Sequence, residues 1–185
     1  HVRDGRGAQT ALIWDSPMAG QVQRWSYAEL LARVARVAGA LRALGVGQGD
    51  RVVIYMPMVP EAAITMLACA RLGAVHSVVF GGFAAAELAK RIEDAAPVAI
   101  VSASCGLEPG RVVQYKPLLD EAIALCAHKP SACLILQRPQ AVAAMQAGRD
   151  HDFAAAEAAA QPADPVSVPA TDPLYILYTS GTTGK

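Results

Sequence analysis

The 185 residues carry 16 Lys or Arg against 16 Asp or Glu, a formal net charge of zero that excludes the broad basic surface of a nucleic-acid binder. Hydrophobic residues make up 54%, yet alanine supplies much of that figure. No apolar run approaches the roughly 20 residues that span a bilayer, so a soluble chain without membrane or nucleic-acid partners is expected.

Residues 1–25 hold the turn-prone Asp4-Gly5-Arg6-Gly7, a short apolar Ala11-Leu12-Ile13-Trp14 and a second turn at Asp15-Ser16-Pro17. They read as a peripheral hairpin-like lead-in with no functional signal of its own. Ser26 followed by Glu29 is a capping box. The apolar series Leu30, Leu31, Val34, Val37, Ala38, Leu41 and Leu44 then predicts an amphipathic helix ending at Gly45, with Arg33, Arg36 and Arg42 on its wet side.

Val52-Val53-Ile54-Tyr55-Met56 is a short, continuous apolar run of the kind found in sheets covered on both faces. A helix over 61–72, a strand over 74–79, a helix over 84–95 and a strand over 98–101 repeat the cycle. This alternation predicts parallel βαβ units with right-handed crossovers, hence an α/β fold with helices on both faces of a mostly parallel sheet. A further helix from Lys116-Pro117 to about 127 and a strand over 132–136 complete an expected subdomain, 26–137.

Residues 138–172 form an expected connecting segment, rich in Ala and Pro, with one short helix near 153–160. A strand starting at Asp172-Pro173 is expected to feed the last stretch, 173–185. Histidine 76, inside an apolar strand, reads as a hydrogen-bonded structural residue. The four cysteines, Cys69, Cys105, Cys126 and Cys133, lie far apart without metal-ligand spacing. They read as reduced thiols of a cytoplasmic protein, with the mitochondrial matrix a second compartment of that kind.

In such sheets ligands gather beyond the carboxyl ends of the strands. Two loops therefore draw interest: Phe80-Gly81-Gly82-Phe83, and the segment from Ser102 through Gly106 to Arg111. A third is the end of the chain, Tyr178-Thr179-Ser180-Gly181-Thr182-Thr183-Gly184-Lys185. Its glycines allow successive N–H groups to converge on an anion, its hydroxyls add donors and its lysine adds a mobile charge. A Walker A loop would need glycine six residues before the lysine, where Thr179 stands, so that motif fails. An ordinary polar turn is the competing reading, which the preceding apolar strand and the terminal lysine disfavour.

The 178–185 stretch resembles the phosphate loop of the acyl-adenylate-forming enzymes, whose loop continues beyond its first lysine. The chain therefore reads as an N-terminal fragment of a larger AMP-binding domain. Tyr55-Met56-Pro57-Met58-Val59-Pro60-Glu61 and Gly73-Ala74-Val75-His76-Ser77-Val78-Val79-Phe80-Gly81-Gly82-Phe83 resemble the acetyl- and propionyl-CoA synthetase branch. Ser102-Ala103-Ser104-Cys105-Gly106-Leu107-Glu108-Pro109-Gly110-Arg111, followed by Tyr115-Lys116-Pro117-Leu118-Leu119-Asp120, is most similar to the propionyl-CoA synthetases. Acetyl-CoA synthetases have an Arg-Gly-Gly-Arg type of turn where this chain has Glu108-Pro109-Gly110-Arg111.

The resemblance implies an AMP-forming ligase for a short-chain carboxylate that uses ATP, CoA and Mg2+. It implies that Thr179, Ser180, Gly181, Thr182, Thr183, Gly184 and Lys185 hold the ATP phosphates. It also implies that Phe80, Gly81, Gly82, Gly110 and Arg111 meet CoA, with Arg111 at its 3′-phosphate. The catalytic residues, the metal ligands and the acyl pocket would lie beyond Lys185, leaving the fragment inactive alone. Acetate is the alternative acid, and a non-catalytic nucleotide-binding α/β module the alternative of a different class. A dinucleotide-binding dehydrogenase lacks its G-x-G-x-x-G.

Overall fold

The computed structural model describes residues 1–179. Six strands form one parallel sheet in the order β10-β4-β3-β5-β8-β9. They are β3 (Arg51–Met56), β4 (Val75–Phe80), β5 (Ala99–Ala103), β8 (Ala132–Leu136), β9 (Asp150–Asp152) and β10 (Tyr175–Ile176). All five pairings between neighbours are parallel, so every strand presents its carboxyl end at the same edge.

Helices cover both faces, which explains why the strands are apolar without alternation. Val52, Ile54 and Met56 pack against α1 (Tyr27–Ala43), α2 (Pro60–Leu72) and Phe153 of α5 (Phe153–Ala159). Val53 and Tyr55, pointing the other way, pack against α3 (Ala85–Ala95) and α4 (Tyr115–Leu125). The α1 start is a capping box: Glu29 N–H donates to Ser26 Oγ at 3.3 Å, and Ser26 N–H donates to Glu29 Oε2 at 2.8 Å.

The lead-in is a true antiparallel hairpin, β1 (Thr10–Ser16) with β2 (Gln21–Ser26). A second antiparallel hairpin, β6 (Cys105–Glu108) with β7 (Arg111–Gln114), grows from the end of β5 where the sequence suggested only a loop. The connecting segment holds the expected short helix and also β9, which adds an edge strand beside β8. That three-residue strand, Asp-His-Asp, has no apolar pattern to announce it.

Two single-residue expectations fail. Arg33 does not coat a wet face: its side chain is 20% exposed and bonds Glu157 and Glu61 while its Cζ lies 4.5 Å over the Trp25 ring. The His76 ring is buried, but its Nδ1 has no hydrogen-bond partner among the described residues, and burial lowers its pKa. All four cysteines are buried free thiols, and burial pushes those of Cys69 and Cys133 up to about 12. Among the described residues no helix is long and apolar enough to cross a membrane.

Candidate functional site

The Phe80-Gly81-Gly82-Phe83 turn stands at the end of β4 and is fixed from beneath by Tyr55 of β3. Its phenol donates to the carbonyl oxygens of Phe83 at 3.0 Å and Gly81 at 3.4 Å. The Tyr55 ring stacks on Tyr115, centroids 5.0 Å apart. Burial, reinforced by Tyr115, pushes the Tyr55 hydroxyl up to about 12, so it stays a donor at neutral pH.

Tyr115 explains the first glycine of the turn. A Cβ on Gly81 would lie 2.1 Å from the Tyr115 oxygen, and one on Gly106 would lie 2.8 Å from the same ring. Glycine at these positions lets the β4 turn and the β6–β7 hairpin close on one aromatic ring. Phe80 folds its ring over Gly82, whose Cβ would meet it at 2.5 Å, and remains 71% exposed.

Phe80, Gly81 and Gly82 line a cleft of 560 Å³ together with Glu108, Tyr115 and Arg138. The β1–β2 hairpin forms the facing wall through Trp14 and Met18. Trp14 Nε1 donates to the Met58 carbonyl at 2.7 Å, tying the hairpin to the β3–α2 loop. The sequence offered no sign of this wall, because the bond joins residues 44 positions apart.

Gly110 and Arg111 form the outer turn of the β6–β7 hairpin. Gly110 has φ 74°, a left-handed conformation that glycine adopts without strain. Arg111 pairs with Glu108 across this turn, Nη2 to Oε2 2.5 Å, and its side chain is 70% exposed. Neither Gly110 nor Arg111 is among the residues that line the cleft.

Thr179 lines an adjoining cleft of 400 Å³ with Phe80, Phe83, Leu177 and Tyr178. Phe80 thus borders both spaces. The segment that leads into the hydroxyl-rich stretch is anchored on α3: the Tyr178 hydroxyl donates to Asp94, and Arg91 Cζ sits 4.1 Å over its ring. Burial and the Asp94 carboxylate push the Tyr178 hydroxyl up to about 12. Ser180, Gly181, Thr182, Thr183, Gly184 and Lys185 lie outside the described residues.

The sequence gives no sign that Tyr115 and Arg138 line this cleft. The first follows a hairpin that reads as a loop, and the second follows a strand, β8, with an unremarkable Gln-Arg-Pro. Among the described residues no group of three or more His, Cys, Asp or Glu could hold a metal ion.

A family model described as AMP-binding enzyme matches residues 2–185. An uncharacterised protein of Pseudomonas aeruginosa is 64% identical over 184 residues, which is 100% of this chain and 29% of that protein. The human acyl-CoA synthetase short-chain family member 3, mitochondrial, is 50% identical over 185 residues, 100% of this chain and 27% of the relative. An acetyl-coenzyme A synthetase of Methylobacterium radiotolerans is 48% identical over 182 residues, 97% of this chain and 28% of the relative. The chain therefore spans less than a third of the length of these relatives.

Proposed function

The chain belongs to the AMP-binding enzyme family, and from that premise we propose that it is part of an ATP-dependent short-chain acyl-CoA synthetase acting on propionate. The observation that carries this reading is the meeting, at the carboxyl edge of one parallel sheet, of a cleft floored by Phe80, Gly81 and Gly82 with the approach to a hydroxyl-rich phosphate loop. The names of two relatives, a short-chain acyl-CoA synthetase and an acetyl-coenzyme A synthetase, agree with the reaction class and leave the acid open.

The reaction has two steps. An oxygen of the carboxylate attacks the α-phosphorus of ATP, the bond to the bridging oxygen breaks, and pyrophosphate leaves the acyl-adenylate. The CoA sulfur then attacks the acyl carbon, losing its proton, and AMP departs as the C–S bond forms. Thr179 to Lys185 bind the leaving phosphates, and their N–H, O–H and ammonium groups are donors for the charge that develops on the pyrophosphate. Phe80 offers the acceptor an apolar face and Gly81-Gly82 a backbone without side chains. Arg111 supplies a guanidinium for a phosphate of CoA.

The ground for preferring propionate to acetate is the Glu108-Pro109-Gly110-Arg111 turn, which departs from the Arg-Gly-Gly-Arg type of the acetyl-CoA synthetases; identities of 50% and 48% to the two relatives do not decide the acid. The test is ATP–pyrophosphate exchange by the full-length protein with each acid, followed by thioester formation with CoA. A higher kcat/KM with propionate is expected. Equal or better use of acetate overturns the choice of acid, and no exchange with any short acid overturns the reaction.

A further inference from the structure

We propose that Arg138 is an anion-binding residue of the cleft, receiving a phosphate of the nucleotide portion of the acyl acceptor. The inference rests on the acyl-CoA synthetase reading and adds to it a residue that neither the sequence motifs nor the Glu108–Arg111 turn suggested.

Arg138 follows β8 at the same sheet edge from which the Phe80 turn and the β6–β7 hairpin rise. Its position is fixed at both ends. The Arg138 N–H donates to Ser104 Oγ at 2.8 Å, and its Nη1 donates to the Cys105 carbonyl at 3.1 Å. Ser104 is itself held: its N–H donates to the Leu136 carbonyl, and its carbonyl accepts from the Tyr115 N–H. The guanidinium is thus mounted where β5, β8 and α4 meet.

Arg138 is only 8% exposed and is among the residues that line the cleft. Among the described residues it forms no ion pair, although Arg33, Arg111 and Arg149 each have a carboxylate within 3.1 Å. A guanidinium carries five N–H donors in a planar fork. One hydrogen bond to a carbonyl leaves most of that capacity unused in a setting that disfavours an uncompensated charge. An anion entering the cleft would supply both the counter-charge and the acceptors, and a phosphate fits the fork in two-point geometry.

The surrounding charges sharpen the choice. Glu108 lines the cleft but its carboxylate is engaged by Arg111, and Asp15 stands exposed on the far hairpin. Burial raises the pKa of Tyr115, and of the two charges that act on its phenol Glu108 raises it further while Arg138 lowers it, so both lie within electrostatic reach of one ring. Among the described residues that line the cleft, the cation without a carboxylate partner is therefore Arg138, whereas Arg111 lies outside that lining.

The test compares the full-length enzyme with its Arg138→Gln and Arg138→Lys variants, using CoA, 3′-dephospho-CoA and pantetheine as acceptors. Pyrophosphate exchange, which needs no acceptor, reports on folding of each variant. For Arg138→Gln the KM of CoA should rise about tenfold or more, as loss of a charge-assisted contact implies, with partial recovery in Arg138→Lys. A rise confined to CoA assigns the contact to the 3′-phosphate, and a rise shared with 3′-dephospho-CoA assigns it to the diphosphate. Unchanged KM values, or an equal rise with pantetheine, overturn the proposal. A parent enzyme that forms no thioester with CoA would instead overturn the acyl-CoA synthetase reading.

Discussion

Arg111 and Glu108 form a two-point ion pair across the β6–β7 turn, with Arg111 Nη2 2.5 Å and Nε 2.8 Å from the same carboxylate oxygen, Oε2. The pair is exposed, so its own contribution to stability is on the order of 1 kcal/mol or less. Under the proposed CoA-binding role its consequence is for binding, since a phosphate approaching Arg111 would have to displace Glu108 or share the guanidinium with it. In the full-length enzyme Glu108→Gln is expected to lower the KM of CoA by up to about fivefold, the equivalent of that energy. Arg111→Ala should raise it while sparing acyl-adenylate formation. Steady-state kinetics with varied CoA decides, and identical KM values in parent and both variants would remove Arg111 from the site.

Gly81 and Tyr115 are coupled by contact. A Cβ at position 81 would stand 2.1 Å from the phenol oxygen and 2.6 Å from the ring, so alanine there forces the turn or the ring to move. Gly81→Ala should lower Tm by an amount that corresponds to about 1–3 kcal/mol of overpacking. Tyr115→Leu should remove part of that clash. In a double-mutant cycle the two changes should then be non-additive by at least ~0.5 kcal/mol. Additive effects on Tm would show that Gly81 is glycine for another reason.

The framework of this fold is written locally and the site only partly so. Ser26 and Glu29 announce α1 because both halves of a capping box lie within one turn of chain. Val52 to Met56 announces a buried strand because each residue must meet a helix on one face or the other. Arg33 was misread for the opposite reason: its partners, Glu61 and Glu157, are 28 and 124 residues away. The Phe80 turn is legible from its glycines and its place after a strand. The places of Trp14, Tyr115 and Arg138 in the cleft lining arise from contacts made only when the sheet edge is assembled.

Arg33 and Arg36 lie one turn apart on α1 and should respond differently to removal. Arg33 bonds Glu157 at 2.9 Å and Glu61 at 3.0 Å, both carboxylates being mostly covered, whereas Arg36 is 41% exposed and reaches Glu157 at 3.6 Å. Deleting Arg33 leaves two shielded carboxylates short of a partner and uncovers Trp25. Arg33→Ala is expected to destabilise by roughly 1–3 kcal/mol, between the exposed and fully buried cases. Arg36→Ala should stay within about 0.5 kcal/mol of the parent. Comparable Tm losses in the two variants would contradict the assigned difference.

The connecting segment is fastened to α4 by charge, and this makes its attachment depend on pH. Lys116 and Arg149 face Asp120 and Asp150, with Lys116 Nζ 2.8 Å and Arg149 Nε 2.7 Å from the Asp150 carboxylate. Burial alone would raise the pKa of Asp150, but hydrogen bonds from Arg149 and Lys116 outweigh it and hold the value below its ordinary range. A carboxyl group depressed on folding binds its proton more weakly in the native state than in the unfolded chain. Its stabilisation is therefore complete above the unfolded value and is lost as pH falls through the depressed native one. Asp150→Asn should lower Tm at neutral pH, where it leaves Lys116 buried with Asp120 as its remaining carboxylate. The difference in Tm between parent and variant should then shrink as pH drops below about 4, where the unfolded carboxylate takes up its proton. A Tm difference that stays constant from neutral pH to pH ~3 would show that the network does not fasten the segment through the charge of Asp150.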